Sequence, residues 1–244
     1  MTAELTIPKS VGKDDAPNYH QRRWQDYFTF STDHKVIGIQ YFCLGFIFYL
    51  IGGLLAEGIR TELATPDPDL VDPATYNSMF TMHGTIMIFL WIVPAGTGAF
   101  ANYLLPLMIG ARDMAFPKLN AVAFWMIPPA GILLMASFFT GTAQAGWTSY
   151  PPLSLIGPKA GEAIWIISLL LLGTSSILGG INFFTTILKM RIPSMSMMQM
   201  PLFCWAMLAT SALMLLATPV LAGALILLSF DLIAGTAFFN PSGR

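Results

Sequence analysis

Charge is what this chain has least of. Lys, Arg, Asp and Glu together make up only 10% of its 244 residues, where soluble domains carry about 25%. With 55% hydrophobic residues and a mean hydropathy of +0.65, that scarcity excludes an ordinary soluble domain and indicates an integral membrane protein. No run of basic residues lines an amphipathic face, which argues against a helix lying on a membrane surface. The net charge of −1 points away from a nucleic-acid partner. Cysteine is also scarce. Cys43 and Cys204 are the only two, both inside apolar runs and without a Cys-x-x-Cys pair, so neither a redox motif nor a disulfide framework is indicated. No internal repeat is visible, so an inverted-repeat transporter gains no support. The polar segment Met1 to Asp33 lacks the apolar core of a secretory signal and reads as a retained tail.

What the chain does have is long apolar runs. Five of them, about Val36–Ile59, Phe80–Ile109, Ala121–Phe139, Ile164–Leu188 and Leu202–Leu228, reach the about 20 residues that a helix needs to cross a bilayer. The expected fold is all-α, a polytopic transmembrane bundle of five spans. The expected organisation is a tail over residues 1–35, a bundle over 36–230 and an outer-side loop over 231–244. The second run should tilt or project beyond the hydrocarbon, and Pro94 should kink it. Thr65-Pro66-Asp67-Pro68-Asp69, Tyr150-Pro151-Pro152 and Ile192-Pro193 break the chain between runs. Lys9, Lys13, Arg22, Arg23, Lys35, Arg112, Lys118, Lys189 and Arg191 fall on one side of the bundle, against Arg60, Lys159 and Arg244 on the other. The positive-inside rule then puts the N-terminus in the cytoplasm.

One residue stands out against the apolar background. His83 lies in Phe80-Thr81-Met82-His83-Gly84-Thr85-Ile86, and an imidazole in lipid loses its water and must find a partner or bind something. From position alone, a core histidine bonded to a neighbouring helix is as good a reading as a metal ligand. Gly84 is the place where a flat macrocycle would approach the backbone.

Several strings carry a resemblance to a known family. They are Ser31-Thr32-Asp33-His34-Lys35-Val36-Ile37-Gly38, Phe80-Thr81-Met82-His83-Gly84, Pro106 to Pro117, Gly146-Trp147-Thr148-Ser149-Tyr150-Pro151-Pro152, Ser175 to Phe183, and Pro201-Leu202-Phe203-Cys204-Trp205. In this order, and over nearly the whole chain after residue 30, the sequence resembles the N-terminal half of subunit I of the haem-copper terminal oxidases, of the cytochrome c oxidase type. The resemblance implies the first five helices of a twelve-helix subunit. It also implies that the copper ligands, the remaining haem ligands and the glutamate ending the main proton channel lie in sequence beyond this chain, so that the fragment alone cannot build the oxygen-reducing site.

The resemblance assigns roles residue by residue. His83 corresponds to an axial ligand of the low-spin haem, where a neutral imidazole nitrogen is a good donor to iron. Arg60 corresponds to a residue that bonds the periphery of that haem; without the resemblance it reads as an arginine snorkelling to headgroups. Trp147 and Tyr150 correspond to a segment beside the haem propionates, and otherwise read as an aromatic belt. Glu62 resembles a cation-binding glutamate. Asp113 corresponds to the aspartate gathering protons at a channel mouth, and otherwise reads as a loop acid paired with Arg112 or Lys118. Asn102, Asn120, Ser175, Ser176 and Asn182 correspond to a water-binding channel lining, or otherwise to interhelical polar glue. Met195, Met197, Met198 and Met200 read as a short membrane-edge loop of flexible apolar residues rather than as a copper site, which usually needs Cys or His as well.

The function implied is electron transfer from cytochrome c through haem to a haem-copper centre that reduces oxygen to water, coupled to proton translocation. The second haem and copper belong to the full-length subunit. Other oxidase subunits and membrane lipid are the implied partners, and a bacterial plasma membrane or thylakoid the implied location. The competing readings are a haem-free channel or transporter and a non-catalytic fragment.

Overall fold

The computed structural model describes residues 24–64, 66 and 70–239. Thr65, residues 67–69, Lys9, Lys13, Arg22, Arg23 and Arg244 lie outside the described residues. Five helices are long and apolar enough to cross a membrane: α1 (His34–Glu62), α2 (Pro73–Ile109), α3 (Pro117–Phe139), α4 (Lys159–Lys189) and α5 (Leu202–Ala234). The described residues therefore form a multi-pass helical bundle, as the apolar runs imply.

The helices outrun the apolar runs because capping residues set their ends. The Asp33 side chain accepts from the Lys35 and Val36 amides, and α1 starts at His34. Asp72 does the same for Ala74 and Thr75, with Pro73 in the first turn, where a missing N–H costs nothing. α2 therefore begins seven residues before Phe80. His83 sits about 15 Å along it, and not in its first turns. Gly110 closes α2 in a left-handed conformation, φ 73°.

Pro94 lies within a stretch of altered helical winding. Its missing amide lies within wide π-type turns running over Ile86–Ile92 and Pro94–Ala101. Those turns carry the helix past the proline by changing its pitch. In α3, Pro128 and Pro129 coincide with a break at Met126 between two helical stretches.

α1 and α2 pack antiparallel and close. Glycines recur every seven residues along α1 at the contact: a Cβ at Gly38 would lie 3.0 Å from the Ala99 carbonyl, at Gly45 3.4 Å from the Leu90 carbonyl, and at Gly52 2.7 Å from Met87 Sδ. Small residues of this kind let helix backbones approach in lipid, where no hydrophobic force drives helices together. α4 packs on α3 and most extensively on α5. The main apolar core, with Met82, Ile86, Leu90, Phe124, Leu134, Trp165 and Leu225, sits where α1 to α5 converge.

Lys35, Arg112, Lys118, Lys189 and Arg191 share one end of the bundle. Direct bonds tie that end together: Ile192 N–H donates to Ile109 O (3.1 Å), and Ala115 N–H to Thr186 Oγ1 (2.9 Å). Cys43 is exposed on α1, while Cys204 is buried on α5.

A candidate axial-ligand site and a polar file

His83 is half-buried on α2 and its ring is oriented from across the α1 contact. Nδ1 bonds Gly52 O at 2.9 Å. A carbonyl only accepts, so Nδ1 carries a proton, and in the neutral ring Nε2 is the nitrogen with the lone pair. Gly52 makes this bond available, because any side chain there would push α1 off Met87 and Ile86. Nε2 has no hydrogen-bond partner among the described residues. An imidazole with Nδ1 donating to a backbone carbonyl is held in the tautomer and orientation that metal ligation uses.

The turn carrying His83 is braced on its other flanks by threonines. Thr85 Oγ1 accepts the buried indole N–H of Trp165 on α4 at 2.9 Å. Thr81 Oγ1 accepts the Gly146 amide at 2.9 Å. The segment after Gly146 then lays Trp147 on Gly84, where a Cβ would lie 3.1 Å from indole Cδ1; the ring also neighbours Phe89, with centroids 6.2 Å apart. This corrects one expectation: the space over Gly84 belongs to the Trp147 indole, not to an approaching macrocycle. Trp147 is nonetheless brought beside His83.

The other residues of the set fall at varying distances from this turn. Arg60 is exposed in the last turn of α1 and has no partner among the described residues. It lies seven residues after Gly53, two helical turns up the same stripe, and a Cβ at Gly53 would meet nothing within 4 Å. Glu62 is buried, and its Oε2 accepts the Leu70 and Val71 amides, both at 3.1 Å. That bonding ties down the α1–α2 linker. No group of three or more His, Cys, Asp or Glu capable of holding a metal occurs among the described residues. Tyr150 is exposed and lines a cavity of about 420 Å3 against Leu221, Leu225 and Phe239.

A second constellation occupies the basic end. Asp113 is half-buried in the α2–α3 loop and accepts the Met114 amide at 2.7 Å. It forms no ion pair with Arg112 or Lys118 among the described residues. Burial raises its pKa above the usual carboxylate value; the Met114 bond and the nearby His34 pull it down by less, and Asp33 adds to the rise.

Inward from Asp113, the Phe116 amide donates to Asn182 Oδ1 (2.8 Å). Asn120 Nδ2 donates to Asn102 Oδ1 (2.6 Å), Asn102 Nδ2 to Gly98 O (2.6 Å), and Asn102 O bonds His34 Nδ1 (2.7 Å). Ser175 Oγ donates to Ala123 O (2.6 Å). Further in, a cavity of about 20 Å3, lined by Tyr41, Thr97, Ser175, Ser176 and Gly98, has room for about one water. Asn182, Asn120, Asn102, Ser175 and Ser176 all lie inward of the Asp113 loop. Four of them bind their neighbours directly as interhelical links, while Asn120 Oδ1 and Asn182 Nδ2 stay buried and unpartnered by protein.

Thr81, Thr85, Trp165 and His34 were not singled out from sequence. Threonine and tryptophan are ordinary in membrane helices, and their value here comes from partners 65 to 80 residues away.

The fold and site define a multi-span helical membrane protein that presents an oriented histidine from within a span. The model of the family described as cytochrome c and quinol oxidase polypeptide I matches residues 36–244, and the chain belongs to that family. It is 72% identical over 226 residues to "Cytochrome c oxidase subunit 1" of Synechocystis sp., covering 93% of this chain and 41% of that protein. It is 66% identical to the protein of the same name from Thermostichus vulcanus, over 90% of this chain and 40% of that one. Against "Putative cytochrome c oxidase subunit 1-beta" of Streptomyces avermitilis identity is 44%, over 89% and 39%. The chain spans about two fifths of the length of these curated relatives.

Proposed function

We propose that this chain forms the N-terminal part of the catalytic subunit of a respiratory terminal oxidase and supplies one axial ligand, His83, to a low-spin haem. The observation that carries the reading is the Nδ1–Gly52 bond, which leaves Nε2 of a half-buried imidazole uncommitted. Among the described residues, His83 would be the one to hold the haem iron, through Nε2. Haem, when bound, supplies a one-electron carrier.

The chain's own residues do the rest. Gly52 holds the proton of His83 at Nδ1. The Thr81 and Thr85 bonds fix the ring's turn. Trp147 covers the neighbouring backbone, and Arg60 places positive charge near the haem edge, which favours the reduced state. Asp113 collects protons, and Asn120, Asn102, Asn182, Ser175 and Ser176 pass them inward through hydrogen-bonded positions. Glu62 is a weaker candidate for a cation, because two amides already hold one of its oxygens.

In the whole subunit this machinery serves electron transfer from cytochrome c to a second haem and copper, where oxygen is reduced to water with proton translocation. Other oxidase subunits complete the complex. The basic end, with Asp113, faces the cytoplasm of a bacterial plasma or thylakoid membrane. The test is a reduced-minus-oxidised spectrum of the intact complex. His83→Ala should remove the low-spin haem band, and an unaltered band would defeat the ligand assignment.

A further inference from the structure

The most buried carboxyl on α4 is left without a role by the proton file and the haem ligand. Glu162 is 1% exposed, in the first turn of α4, and its Oε1 accepts the Ser149 hydroxyl. No cation pairs with it among the described residues, Lys159 one turn earlier being exposed. Trp165 follows Glu162 by three residues and so shares its face of α4; its indole reaches Thr85, two residues past His83.

The segment from Gly141 to Ser149 is held at four points. Gly161 has no side chain, and a Cβ there would overlap the Gly141 carbonyl oxygen. The Gly146 amide is on Thr81, and the Trp147 ring is on Gly84. Ser149 has φ 48°, a left-handed conformation that a serine adopts only when its surroundings impose it. Its amide donates to Gly146 O at 3.0 Å and its hydroxyl to Glu162. The last fastening lies two residues after Trp147.

We propose that Glu162 is a positioning residue for the His83 site: through the Ser149 hydroxyl it seats Trp147 on Gly84, and so sets the surroundings of the low-spin haem. The inference rests on the His83 reading and deepens it. What Glu162 contributes is a buried acceptor oxygen at a fixed place, not a transferred proton. Glutamine keeps that oxygen and leucine does not.

The experiment uses the intact oxidase carrying Glu162→Gln, Glu162→Leu, Ser149→Ala and the Glu162→Leu/Ser149→Ala pair. Haem content, the low-spin haem band and its midpoint potential are measured for each. Glu162→Gln should match the unaltered complex. Glu162→Leu and Ser149→Ala should keep the haem but shift band and potential in the same direction, and the pair should shift no further than either alone. If Glu162→Leu does not assemble, Ser149→Ala, which removes one oxygen, carries the comparison against Glu162→Gln. An unshifted potential in Ser149→Ala overturns the proposal. So does a shift in Glu162→Gln as large as that in Ser149→Ala, since charge and not the acceptor would then matter. A wild-type complex with no low-spin haem at all would sink the His83 reading itself, a separate result.

Discussion

His83 answers the problem of an imidazole in lipid by dividing its two nitrogens. One donates to Gly52 O, which offsets the desolvation cost of that N–H, and the other has no protein partner among the described residues. Asp113 shows the opposite economy: burial raises its pKa, so it holds a proton at higher pH than a surface aspartate. The linkage sign follows from the direction. A carboxyl with a raised folded pKa contributes stability below its unfolded value, 3.8, and loses that contribution as pH rises through the folded value. Asp113→Asn should therefore flatten this part of the stability profile above pH 3.8, as measured by thermal unfolding of wild type and variant. In the assembled oxidase the same substitution should slow proton uptake by about tenfold or more, the scale on which a positioned proton-transfer group acts. Stopped-flow uptake at the wild-type rate would contradict the role.

Elements explain what the residues cannot do alone. The five spans were legible because each is an uninterrupted apolar run. Their ends were not, because Asp72 and Pro73 start α2 before its apolar stretch. Pro94 is visible in sequence, but the wide turns that absorb it are a property of backbone hydrogen bonding that no residue pattern announces. The site was legible as a set of family positions, and its bracing was not: Gly146 to Thr81 and Trp165 to Thr85 join residues far apart in the chain. Two predictions belong here. Gly52→Ala should force α1 and α2 apart around Met87, costing about 1–3 kcal/mol and loosening the His83 bond; thermal unfolding and the haem spectrum should both change. Trp165→Phe should leave Thr85 Oγ1 without its buried donor and lower stability by about 1–2 kcal/mol. Trp165→Phe and Thr85→Val should be clearly non-additive in a double-mutant cycle.

At the scale of the molecule, α1 and α5 are the least covered of the spans, and α5 presents Leu213, Leu216, Val220 and Ile233 outward. Nothing in this pattern distinguishes lipid from further protein by composition, since both are apolar. The family match runs over residues 36–244, and the chain spans about two fifths of the length of its curated relatives. The two constellations lie toward opposite ends of α2, with Asp113 just beyond its basic end and His83 nearer Pro73.

The most direct measurement is a density map of the intact oxidase, resolved well enough to place the haem iron and its ligands. The account predicts iron bonded to Nε2 of His83, with Nδ1 still on Gly52 O. A low-spin haem whose two axial ligands both come from other residues, with His83 bonded only to protein, would contradict it.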